Sequence, residues 1–325
     1  MSFAVLFPGQ GSQSPGMGAD LFEARPDLLG ARADHVLGWS LQEVCLRGSE
    51  ETLTRTEHAQ PALFALGYAL WEEVRARLEA LPAAAAGHSL GEYTALAASG
   101  AIDFDDALAV VAERGQAMAD AADLEPSGMS ALLGATLGQA EDIAATRRAG
   151  GGRLAVANVN APGQVVLAGA KDDLDWLDSE APGLGVRKVV RLKVAGGFHS
   201  VFMEPAAGRI GDLLASVPFH AQTFPVWSNV TARPIPPGSE RALLIEQVVS
   251  PVLFAQTLEG MAGSGVELFL HIGAGDVTAA MARRSAPGTR AAAISDMAGI
   301  APGLEAIGTI AKDQHASDQH SRPDD

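Results

Sequence analysis

The stretch that leaves this chain the fewest options is Gly87-His88-Ser89-Leu90-Gly91. Glycine two residues before and two residues after a serine permits a strained strand-to-helix turn that presents the hydroxyl at a helix N-terminus. Residues 81–86 predict the strand that feeds the turn, and residues 90–99 predict the helix that leaves it. An alanine run is a weak strand former, so that strand is assigned from the motif and not from propensity. A helix N-terminus beneath the hydroxyl would favour a developing oxyanion. The pentapeptide also recurs by chance in a chain with 36 glycines, so its reading depends on its surroundings.

At 325 residues and 47% hydrophobic content, the chain can bury a sizeable core in one large domain, or in a large and a small one. No segment approaches 18 uncharged apolar residues, and the first residues lack a basic leader, so no membrane association and a cytoplasmic location are expected. The formal net charge of -16 makes nucleic acid a poor partner. Cys45 is the single cysteine, and no Cys/His cluster has zinc spacing, so neither a disulfide nor a metal is expected.

Residues 3–7 form a short apolar run ended by Pro8-Gly9, which reads as a buried strand entering a Gly-rich loop, Pro8 to Gln13. That loop lies beside the elbow if both strands belong to one parallel sheet, and its glycines let backbone N–H groups approach a substrate closely. Pro61 is expected to open a helix carrying Leu63, Leu66, Leu70, Val74 and Leu78. Between residues 127 and 194 the pattern changes to strand 129–133, helix 139–148, strand 154–158, strand 164–168, helix 172–177 and strand 186–194. This order is the split βαβ, ferredoxin-like arrangement. The expected fold is α/β, an α/β-hydrolase-like large subdomain with a parallel sheet (1–126 and 195–311) plus the inserted small one (127–194). Residues 312–325, polar and without periodicity, read as a disordered tail.

A nucleophilic serine needs a base within hydrogen-bonding reach. Of the eight histidines, His199 follows a strand and precedes a helix, the loop position from which α/β enzymes supply catalytic groups. His88 adjoins the serine, but neighbouring side chains on an elbow diverge. Arg114 falls on the apolar face of a helix beginning near Asp103, among Val110, Val111, Ala117 and Met118, while Asp105, Glu113 and Asp120 point elsewhere. A guanidinium on such a face demands an anion, and either a protein carboxylate or a substrate carboxylate would serve.

With these residues assembled, the chain resembles the malonyl-CoA:acyl-carrier-protein transacylase family over roughly residues 3–310. The matching blocks are FPGQGSQ at 7–13, QPAL at 60–63, GHSLGE at 87–92, ERG at 113–115, NAPGQVVLAG at 160–169, FHS at 198–200 and SNVTARP at 228–234. Within the family it resembles the free-standing acyltransferases that serve modular polyketide synthases in trans, with the fatty-acid enzyme a near neighbour.

The resemblance implies Ser89 as nucleophile, His199 as base, and the backbone N–H groups of Gln10 and Leu90 as oxyanion hole. It further implies that Arg114 holds the malonyl carboxylate and that a Gln247 backbone carbonyl orients the histidine. Asn158 and Asn160 match a polar pair near the substrate cleft, and Phe198 matches the residue of malonyl-preferring members. The implied partners are malonyl-CoA, as substrate, and an acyl carrier protein with its phosphopantetheine arm; no cofactor is implied, and a monomer is. A basic cluster, Arg187, Lys188, Arg191 and Lys193, is the expected docking patch. A proofreading hydrolase on the same fold and a non-catalytic docking module are the alternatives. One departure stands out: the family's Gly-Pro-Gly-Lys loop reads Gly273-Ala274-Gly275-Asp276 here.

Overall fold

Phe3–Phe7, the first strand (β1), is apolar throughout because both of its faces are covered. Phe3, Val5 and Phe7 point into the larger of two cores flanking the sheet, and Ala4 and Leu6 point into the other, the alternation that a strand imposes. The computed structural model describes residues 2–308. The remaining strands are β2 (Ala84–Gly87), β3 (Ser127–Leu133), β4 (Ala155–Ala161), β5 (Gln164–Ala170), β6 (Lys188–Arg191), β7 (Val226–Trp227), β8 (Leu268–Ile272) and β9 (Arg290–Ile294). They form a 5-stranded sheet in the order β7-β2-β1-β8-β9 and a 4-stranded sheet in the order β4-β5-β3-β6.

All pairings in the larger sheet are parallel, with helices between the strands, so the protein has an α/β fold. Register brings the two Gly-rich loops together. Phe7 lies opposite Gly87, so β1 and β2 end at the same level and the loops after them emerge side by side. The alanines of β2 hold this position because β1 and β7 bond to both edges of the strand. The strand ends at Gly87 and starts at Ala84, later than the expected residue 81.

In the smaller sheet every pairing is antiparallel, and helices Leu137–Ala149 and Lys171–Glu180 join β3 to β4 and β5 to β6. A Thr136 and Gln139 capping box starts the first of these helices. Gly163, at φ 72°, makes the turn between β4 and β5. The sheet is tied to the rest of the chain by Val159 N–H to Val252 O (2.8 Å) and Val252 N–H to Ala157 O (2.9 Å).

Two further expectations need correction. The helix carrying Leu63 begins at Thr56 and holds Pro61 inside, so the proline does not open it and the Glu57 carbonyl forgoes an i→i−4 partner. Close packing explains the tolerance: at Gly115 a Cβ would stand 2.8 Å from the Thr56 carbonyl, so helix Phe104–Leu124 presses on that first turn. β6 spans only Lys188–Arg191, because the chain leaves the sheet after its pairing with β3 stops at Arg191. The tail expected at 312–325 lies outside the described residues.

Candidate active site

Ser89 sits at the bend with φ 52°, a left-handed conformation that costs a non-glycine residue about 1–2 kcal/mol. Its neighbours make the bend possible. A Cβ at Gly87 would collide with the Gly91 backbone, and a Cβ at Gly91 would stand 2.3 Å from the Phe7 carbonyl. The strained residue is then held by side chains from elsewhere. Ser89 N–H donates to Asn229 Oδ1 (2.7 Å), Gln247 Nε2 donates to the Ser89 carbonyl (2.9 Å), and Asn229 Nδ2 donates to the Gly87 carbonyl (2.7 Å). Helix Gly91–Ala98 starts directly behind the hydroxyl.

His199 Nε2 lies 2.7 Å from Ser89 Oγ, and its Nδ1 lies 2.8 Å from the Gln247 carbonyl. A carbonyl only accepts, so Nδ1 carries the proton and Nε2 is left as the acceptor facing the serine. Burial, followed by the nearby Arg114 charge, pushes the His199 pKa down to about 3, which keeps the imidazole neutral. Its backbone is also left-handed, at φ 57°. His88 turns away as expected and pairs through Nε2 with Asn160 Oδ1 at 2.8 Å.

Arg114 is 1% exposed. Its Nη2 donates to Ser89 Oγ (3.0 Å) and to Gln247 Oε1 (3.0 Å), its Nη1 donates to Gln60 Oε1, and its Cζ stands 5.5 Å from the centre of the Tyr93 ring. All of these partners are neutral. Among the described residues it forms no ion pair, and burial lowers its pKa. Three acidic residues of its own helix are engaged outward, Asp105 with Arg32 and both Glu113 and Asp120 with Arg209. A protein carboxylate therefore does not fill the role that the sequence left open between protein and substrate. Behind Arg114, Glu92 is fully buried, with burial pushing its carboxyl up to about 7.

Ser89, His199 and Arg114 open onto a cavity of about 230 Å³. Gln10, Leu90, Asn158, Asn160 and Phe198 also line it, and Gln247, which does not line the cavity, reaches the site through its carbonyl on His199 and its side chain on Arg114. Among the described residues, the backbone N–H groups of Gln10 and Leu90 have no hydrogen-bond acceptor. Met118, Met129 and Met281 give the cavity an apolar wall. Sequence reasoning missed the roles of Gln60, Asn229 and Glu92, although all three lie inside the quoted blocks QPAL, SNVTARP and GHSLGE. It also placed Arg191 in a docking patch, whereas Arg191 bridges Asp175 (2.9 Å) and Asp178 (2.5 Å). No described helix is long and apolar enough to cross a membrane.

The acyl transferase domain family matches residues 4–320. The malonyl CoA-acyl carrier protein transacylase of Bacillus subtilis is 35% identical over 296 residues, covering 90% of this chain and 93% of that protein. The chain belongs to the malonyl-CoA:acyl carrier protein transacylase family. The polyketide biosynthesis protein ThaF of Burkholderia thailandensis is 37% identical over 93% of this transacylase-family chain, which spans only 26% of ThaF. A solved type II polyketide synthase acyl carrier protein in complex with its malonyl-transacylase includes a chain that superposes with a TM-score of 0.88 at 34% identity, over 94% of this enzyme and 99% of that chain.

Proposed function

We propose that the enzyme moves a malonyl group from coenzyme A to the phosphopantetheine thiol of an acyl carrier protein through an ester on Ser89. The observation that carries this reading is a buried guanidinium with only neutral partners, donating to the same hydroxyl that a neutral imidazole accepts from. A substrate carboxylate supplies the anion that the protein withholds.

In the first half-reaction the Ser89 hydroxyl gives its proton to His199 Nε2 and Oγ bonds to the thioester carbonyl carbon. The backbone N–H groups of Gln10 and Leu90 hold the oxyanion. Its collapse breaks the C–S bond, and the leaving coenzyme A sulfur takes the proton from His199. In the second half, the carrier thiol gives its proton to His199 and attacks the ester carbonyl; Ser89 leaves and recovers that proton. A dyad oriented by a backbone carbonyl suffices because a thiolate is a good leaving group. No cofactor takes part in these steps. Asn158 and Asn160 line the path of the substrate, and Phe198 restricts the α-carbon to an unbranched malonyl group.

On this reading the parent unit, 1–126 with 195–311, is α/β-hydrolase-like, and 127–194 is a ferredoxin-like insertion whose ends act as a hinge pair. The enzyme works as a monomer in the cytoplasm. Arg187, Lys188 and Lys193 are the docking cations for an acidic carrier protein, Arg191 being engaged with its aspartates. The test tracks malonyl-CoA in the presence of a pantetheine-bearing carrier protein. Malonyl is expected on the carrier thiol faster than malonate appears in solution, and the reverse order would make the enzyme a hydrolase.

A further inference from the structure

Glu92 lies in the first turn of helix Gly91–Ala98 and is fully buried, yet among the described residues it forms no ion pair. Its Oε2 accepts from Gln247 Nε2 (2.6 Å) and from the Asn229 backbone N–H (3.2 Å), while Oε1 has no hydrogen-bond partner among the described residues. These two neighbours are the ones that grip the strained serine, Gln247 at its carbonyl and Asn229 at its N–H. Gln247 also reaches Arg114 through Oε1. Its amide has one tolerable orientation here: turned over, it would set NH₂ against the guanidinium and oxygen against both the carboxylate and the Ser89 carbonyl.

We propose that Glu92 is a positioning residue whose carboxylate fixes the Gln247 amide between Ser89 and Arg114 and whose charge weakens the hold of Arg114 on the acyl carboxylate. The proposal rests on the reading that Arg114 binds that carboxylate. A transferase must release what it binds. An uncompensated guanidinium that is 1% exposed would retain the malonyl group in the acyl-enzyme and in the product complex, which slows transfer without helping chemistry. Glu92 sits one amide away from Arg114, near enough for its field to be felt and too far for a direct ion pair that would exclude the substrate.

Two variants separate charge from position. Glu92→Gln keeps the shape and presents one oxygen to Gln247 and Asn229, but removes the charge; Glu92→Asp keeps the charge and withdraws it from Gln247. The measurements, made at about pH 8.5 so that a carboxyl pushed up to about 7 is ionised, are kcat and KM for loading from malonyl-CoA and from acetyl-CoA, and the rate of malonyl transfer to a pantetheine thiol. For Glu92→Gln, KM for malonyl-CoA should fall about tenfold with acetyl-CoA unaffected, and transfer should slow by a comparable factor. For Glu92→Asp, both loading reactions should slow alike and the malonyl-to-acetyl ratio should hold. An E92Q enzyme that keeps wild-type constants, or loses both substrates equally, overturns the proposal. If melting shows E92Q unfolded, the E92D ratio decides, and a shifted ratio overturns it. A wild-type enzyme that loads neither acyl group sinks the functional reading itself, a result visible before any variant is made.

Discussion

The two sheets supply different kinds of atoms to the same cavity. The parallel sheet ends in loops that carry backbone strain: β2 delivers Ser89 at φ 52°, and the β1 loop beside it delivers Gln10 with an N–H that has no acceptor among the described residues. The antiparallel sheet supplies wall, with Met129 and Val166 from strand interiors and Asn160 engaged with His88. Strain needs a support that does not yield, and a sheet buried on both faces between helices provides it. The chemistry should therefore be fragile on the parallel side and adjustable on the antiparallel side.

The largest expected effect is His199→Ala, which leaves the Ser89 hydroxyl without an acceptor and should slow acylation about a thousandfold while malonyl-CoA still binds. Stopped-flow loading with a separate binding titration checks this. Arg114→Ala comes next. Malonyl loading should fall about a hundredfold, as expected for losing a charge-assisted contact, while acetyl loading persists or improves. The same substitution removes the charge that helps hold His199 down at about 3. With that charge gone the imidazole protonates at higher pH, so the acid limb of Ser89 reactivity toward a neutral phosphonate should move up. A limb that stays in place would show that burial alone sets the histidine. Smallest is reversal of Arg187 and Lys188 to Glu on the antiparallel side, which should raise the carrier-protein KM by about threefold to tenfold and leave loading from malonyl-CoA unchanged.

Legibility in the sequence depended on the range of each signal. The elbow was readable because a turn so tight dictates glycine at fixed spacing, and β1 because five apolar residues in a row match a doubly covered strand. His199 and Arg114 were found by local position, one on a loop after a strand and the other on an apolar helix face. The carboxamides were not readable in their roles: Gln60, Asn229 and the Gln247 side chain act through contacts 54 to 158 residues away, and locally they look like solvated residues. Glu92 was hidden for the same reason, since a carboxylate in a first helical turn is ordinary until its burial is seen. Local sequence favours Pro61 at a helix start, whereas the helix extends upstream of it under tertiary packing. The apolar alternation of β6 continues past its last pairing, and pairing with β3 decides where the strand stops.

The most direct measurement is peptide mapping after brief exposure to malonyl-CoA and an acid quench. A malonyl mass on the peptide containing Ser89, absent in Ser89→Ala, is the expected result. A stable adduct on any other residue, or transfer to the carrier thiol with Ser89 replaced, would contradict it.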